Sequence, residues 1–175
     1  MRAMSKLIKA SLLAGFLVHL WVTVSWMALP FHKATVNTFN DDSQIQLALL
    51  KGVSSSKPGI YAVPAMHQGK SAGPSAFIAL TPAGQTFSWK KIAFDLGNNI
   101  LTAFLIGILL MMSGITSFKE KVKFSTLTGL VVVSMSTLPS VNWWGFALDY
   151  AAVETLDLLV SSLIFGLVLA KFTEN

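Results

Sequence analysis

The order of apolar and polar positions divides the chain into four long apolar runs and one long mixed segment. The runs extend over about Ala10–Leu29, Ile92–Gly114, Val122–Val141 and Phe146–Ala170. A helix rises about 1.5 Å per residue, so crossing a hydrocarbon core roughly 30 Å thick takes about 20 mostly apolar residues. The first two runs meet that length plainly. The third is diluted by Ser and Thr and the fourth by acids, yet their lengths fit. The pattern predicts an all-α membrane protein, a four-transmembrane-helix bundle forming a single membrane domain over residues 1–175. A small α/β extracytoplasmic loop, residues 31–91, joins helices 1 and 2.

Within that loop, Asn40-Asp41-Asp42-Ser43-Gln44 offers an N-cap and early acids. Ile45, Leu47, Leu49 and Leu50 follow, and Gly52 is a plausible stop, so a short amphipathic helix is expected. Ile60–Val63 and Ala76–Leu80 are β-prone runs separated by Gly69, Gly73 and Pro74, which fits a small hairpin. So short a segment has too little interior for a conventional core and is expected to rest on the outer helix ends.

Composition supports the membrane reading. Hydrophobic residues make up 53% of the chain and charged ones 12%, about half the charged share of a soluble domain. Cysteine is absent, which excludes disulfide exchange, thiol nucleophiles and thiolate-held metals. The net charge is +5, but the basic residues flank the apolar runs or lie in the long loop. There they read as topology signals and lipid headgroup contacts, not as a nucleic-acid surface.

Arg2, Lys6 and Lys9 precede the first run, Lys119, Lys121 and Lys123 fill the connection before the third, and Lys171 follows the fourth. The loop lysines, Lys33, Lys51, Lys57, Lys70, Lys90 and Lys91, are spread thinly. Dense charge in short segments marks the cytoplasmic side, so both termini are expected there. A cleaved signal peptide would share the basic start. However, the apolar run is long for that role and lacks an Ala-x-Ala site, so a retained anchor is expected.

Polar residues fall on arcs of each predicted helix. His19, Thr23, Trp26 and Pro30 share a face of the first. Asp95, Asn98, Asn99 and Thr102 share one on the second, Ser125, Thr128, Gly129 and Ser136 on the third, and Tyr150, Glu154, Asp157 and Ser161 on the fourth. Polar groups in hydrocarbon need partners, so these faces are expected to turn inward. The candidate polar or ion-binding cluster is His19, His32, Asp95, Asn98, Asn99, Asp149, Tyr150, Glu154 and Asp157. His19 is expected to reach toward Asp157, with His32 just outside beside Asp95, Asn142 and Asp149. Such a cup would bind a cation, a proton or a polar headgroup; the alternative is a satisfied network that fixes the bundle. No His-x3-His spacing supports a metal, and no cofactor is expected. Trp143 and Trp144 read as an interfacial anchor. Small-residue stripes, Ser162-x3-Gly166-x3-Ala170, Ala103-x3-Gly107 and Ser125-x3-Gly129, predict close helix packing within the chain or, as the alternative, a homo-oligomer seam.

Three stretches are carried together. They are Val24 through His32 (Val-Ser-Trp-Met-Ala-Leu-Pro-Phe-His) with Thr35, Gly59-Ile60-Tyr61 through Gly73-Pro74, and Asn142-Trp143-Trp144-Gly145-Phe146 followed by Tyr150, Glu154 and Asp157. Together they resemble a family of small uncharacterised bacterial four-helix inner-membrane proteins. The resemblance implies the topology and a bacterial inner membrane, and it brings no catalytic residue. Lipoprotein signal peptidases are similar in size and helix number, but their Asn-x2-Asp-Arg and Phe-Asn-x-Ala-Asp patterns are missing. Asp149 or Asp157 could supply one acid of their dyad, but the third helix has none, so a different pairing, such as Asp95 with Asp157, would have to replace it. The expected function is a non-enzymatic accessory or scaffold subunit whose partners are membrane lipids and another integral membrane protein or a second copy. Alternatives are a small transporter or ion- or proton-binding protein using the fourth helix's acids, and more weakly a membrane-embedded hydrolase.

Overall fold

The computed structural model describes residues 2–53, 57–65, 73–84 and 86–172, and of Arg2 the backbone alone. Gly69 and Lys70, assigned above to the loop, lie outside the described residues. Among the described residues the protein is mostly helical, with four helices long and apolar enough to cross a membrane and one two-stranded sheet.

The bundle comprises residues 1–36 and 88–175. Helix α1 (Arg2–Met27) is followed by a short α2 (Phe31–Thr35). Further along, α4 (Trp89–Ser113) precedes α5 (Phe118–Val132), a π-helical turn (Val133–Thr137), α6 (Leu138–Trp144) and α7 (Leu148–Phe172). Helical hydrogen bonding does not stop where apolarity stops, so α1 begins eight residues before Ala10. It ends at Met27 because Pro30 lacks an N–H and restricts the residue before it. The third long helix likewise exceeds its apolar run, from Phe118 to Trp144. It passes Pro139 by widening its register: the Leu138 N–H bonds to the Val133 carbonyl, five residues back. Gly114 (φ 66°) and Gly145 (φ 69°) close α4 and α6 in the left-handed conformation that glycine adopts without strain.

The packing is antiparallel. Gly15 of α1 lies against Ile100 of α4, and Gly107 of α4 against Leu7 of α1 and Leu169 of α7. On α5 and α7, Gly129 meets Ser162, while Gly166 meets Ser125 and Val122. The Ser125 hydroxyl donates to the Ser162 carbonyl at 2.8 Å. The small-residue stripes are thus covered by the chain's own helices. Leu7, Ala10, Ala14, Val18, Ala103, Ile106, Leu110, Phe165 and Leu169 form the core. Basic residues at the starts of α1 and α5 and the end of α7 gather at one end of the bundle, and the start of α7 and the end of α1 at the other.

Residues 37–87 form a second unit. It holds α3 (Asp42–Gly52) and an antiparallel hairpin of β1 (Gly59–Val63) and β2 (Ala76–Leu80), with Tyr61 opposite Ile78. The segment apart from the bundle is therefore shorter than residues 31–91, because Phe31–Thr35 and the turn before Ile92 are helical parts of the bundle. Asp41 caps α3: its carboxylate accepts from the Ser43 hydroxyl at 2.6 Å and the Gln44 N–H at 3.0 Å. The Ser43 bond first, then the Gln44 bond, holds its carboxyl below the usual carboxylate range. A lowered folded-state value means the cap's contribution is complete above the unfolded value and is lost as pH falls through the folded one. Protection of the first α3 amides against hydrogen exchange should therefore hold at neutral pH and fall in acid below about pH 4. Asp41→Ala should remove it at every pH.

Candidate functional site

Two histidine–carboxylate pairs tie α1 and α2 to their neighbours. In the first, His19 Nδ1 lies 2.7 Å from Asp95 Oδ2, and the Asn99 amide donates to the same oxygen at 3.2 Å. His19 and Asp95 sit at the antiparallel α1–α4 crossing near Gly15 and Ile100. The second pair is more deeply buried. Asp157 accepts from the Ser25 hydroxyl at 2.7 and 2.9 Å and from His32 Nε2 at 2.8 Å, and Ser25 Oγ lies 3.0 Å from that nitrogen. Ser25 is 0%, His32 2% and Asp157 7% exposed, so the carboxylate's two oxygens are met by protein donors in place of water. Trp26 stacks on the His32 ring, with centroids 4.0 Å apart and planes at 16°.

These pairings correct the expected ones: His19 engages Asp95, not Asp157, and His32 is buried with Asp157 instead of lying outside. Pro30 ends α1, but α2 resumes at once and its Thr35 hydroxyl returns to the Phe31 and His32 carbonyls. His32 thereby stays on the face of Ser25. Asn98 is exposed, because one residue of helix turns it about 100° from Asn99. Asp149 is also exposed, accepting from the Tyr150 N–H at 2.8 Å at the start of α7, where an acid suits the helix dipole. Asn142 is exposed as well. Trp143 is 75% and Trp144 39% exposed at the end of α6.

Ser25 was absent from the expected cluster. Its signal is a seven-residue spacing: Ser11, Val18, Ser25 and His32 recur on one face and all four are buried. Ser11 bonds back to the Leu7 carbonyl at 2.9 Å, whereas Ser25 turns across to α7.

A serine, histidine and aspartate in contact invite comparison with a nucleophile relay. In such a relay the base bridges, with one ring nitrogen on the hydroxyl and the other on the carboxylate. Here both groups meet Nε2, and Nδ1 is buried without a hydrogen-bond partner. The hydroxyl also donates straight to the carboxylate, so the imidazole has no proton to take from it. Asp95 and Asp157 are each engaged by a different histidine, which does not make a carboxylate dyad.

Beside this network, Ser136, Thr137, Ser140, Phe146, Tyr150 and Glu154 line a cleft of about 190 Å³ between the π-helical turn, α6 and α7. Glu154 Oε1 is buried without a hydrogen-bond partner. Among the described residues no group of three or more His, Cys, Asp or Glu is placed to hold a metal ion. No protein-family model matches the chain, and neither a curated protein nor a solved structure is significantly similar to it.

Proposed function

We propose that the chain is a non-enzymatic, multi-pass protein of the bacterial inner membrane, with both termini cytoplasmic, that serves as an accessory or scaffold subunit binding another membrane protein. Membrane insertion is supported by the outward faces of the long helices. Leu12, Phe16, Leu20, Leu101, Leu105, Leu127, Leu130 and Leu167 are all exposed, far more apolar surface than a soluble bundle leaves to water. The observation that carries the subunit reading lies outside those helices. Phe39, Leu47, Leu50, Ile60, Val63 and Phe87 of residues 37–87 are exposed too, and α3 buries none of its residues. A segment left in water would turn those side chains inward, whereas one that docks on a partner keeps them outward. The internally engaged Ser25–His32–Asp157 network supports a fastening role in place of a catalytic one.

Reporter fusions at Gly84 and Phe172 should report opposite sides of the membrane; the same side for both would overturn the four-span topology. A photo-crosslinking side chain at Leu47 or Ile60 of the full chain, in native membranes, should give one discrete adduct with another integral membrane protein. Lipid adducts alone, as expected from the control position Met112 on α4, would overturn the subunit reading.

A further inference from the structure

We propose that the cleft lined by Ser136, Thr137, Ser140, Phe146, Tyr150 and Glu154 binds a primary ammonium group, a role that goes beyond the subunit reading and does not depend on it. The cleft is rich in acceptors. The Ser136 hydroxyl donates to the Val132 carbonyl at 2.7 Å and the Ser140 hydroxyl to the Ser136 carbonyl at 2.9 Å. Each has spent its proton, so toward a ligand its oxygen is left to act as an acceptor. Glu154 adds a carboxylate whose Oε1 is buried and unpartnered. The Tyr150 hydroxyl acts on the Glu154 carboxyl, and the neighbouring His32 and Asp157 are already paired with each other, so none of these groups reaches Oε1. A buried acceptor without a partner calls for a hydrogen-bond donor, and a carboxylate favours a cationic one.

The shape favours an organic ammonium over a bare metal ion. A hard cation is held by several oxygens close around it, but both Asp157 oxygens are taken by Ser25 and His32, leaving one carboxylate in a space of about 190 Å³. That is roughly the room of six waters, enough for an ammonium and the carbons next to it. Phe146 and Tyr150 meet edge to face with centroids 5.7 Å apart, and aromatic faces in a cleft attract an ammonium further. The π-helical turn shapes this wall. It carries Ser136 and Thr137 on the register shift that Pro139 imposes, and such turns recur at binding sites. The same ammonium chemistry is offered by a free amine and by an ethanolamine lipid headgroup.

The test uses the full chain purified in lipid-free detergent and reconstituted in nanodiscs. Ethanolamine is titrated against the detergent form, with choline, sodium chloride and potassium chloride as comparators. Nanodiscs of phosphatidylethanolamine mixed with phosphatidylglycerol are analysed for lipid retained on the protein by native mass spectrometry. Glu154→Gln keeps the side chain's shape and is expected to weaken the response about tenfold or more, since a charge-assisted bond is lost. The Ser136→Ala, Ser140→Ala double variant leaves the carboxylate and should weaken it severalfold, so the proposal stays testable if Glu154→Gln does not fold. Ethanolamine binding in detergent identifies a free amine as a ligand. Selective phosphatidylethanolamine retention without it identifies the headgroup, and either supports the site if Glu154→Gln, or the double serine variant where that protein does not fold, reduces it. Equal responses from wild type and folded variants, equal protection by the alkali chlorides, or no response to any probe would overturn it.

Discussion

Asp157→Ala is expected to destabilise the bundle by about 3–5 kcal/mol, because it strands the His32 Nε2–H and the Ser25 hydroxyl in a site closed to water. The carboxylate links α1 and α2 to α7 through two donors on different elements, so its loss frees both attachments at once. Asp157→Asn keeps the volume and one carbonyl acceptor, and the cost should fall to about 1–2 kcal/mol. The measurement is thermal stability in detergent for Asp157→Ala, His32→Ala and the double variant. The two single costs should not add, leaving a coupling of about 1–3 kcal/mol, the range for residues in one buried network. Strict additivity would show that the 2.8 Å contact between His32 and Asp157 carries no energy. In the same scan, Glu154→Gln should leave stability nearly unchanged, since Oε1 gives up no bond and the amide oxygen can still meet the Tyr150 hydroxyl.

The second large effect is expected at Gly15. A Cβ there would stand 2.6 Å from the Ile100 Cα and backbone nitrogen, and no side-chain rotation relieves a clash with backbone. Gly15→Ala should therefore cost about 1–3 kcal/mol, the usual penalty of overpacking, by forcing α1 and α4 apart. Four residues on, the 2.7 Å His19–Asp95 contact spans the same crossing and should lengthen with it. Gly97→Ala on the same α4 is the control: nothing lies within 4 Å of its added Cβ. Alanine also favours a helix interior over glycine by about 1 kcal/mol, so that variant should be neutral or slightly more stable. If both substitutions behaved alike, close backbone contact would not be what holds α1 to α4.

The sequence by itself determined the elements, because each rests on local rules. Four apolar runs of sufficient length make four long helices, Asp41 caps α3, β-prone residues at Ile60–Val63 and Ala76–Leu80 pair as a hairpin, and Pro30 ends α1. It also marked the polar residues, since a histidine or an acid among leucines stands out without any structure. Tertiary structure decided which of them meet. His19 and His32, with Asp95 and Asp157, admit two pairings, and helical periodicity assigns each residue a face but not the face opposite. The choice follows from where the helices cross, and glycines set how closely they do: Gly15 and Gly166 lie against the backbones of Ile100 and Val122, while Gly107 and Gly129 make room for the side chains of Leu7 and Ser162. Ser25 joined the network for the same reason, since its seven-residue spacing from His32 acquires meaning only when α2 resumes on the face of α1. The cleft at Glu154 depended on a register shift at Val133–Thr137, and a hydrogen bond reaching five residues back arises from how Pro139 is accommodated in the folded bundle.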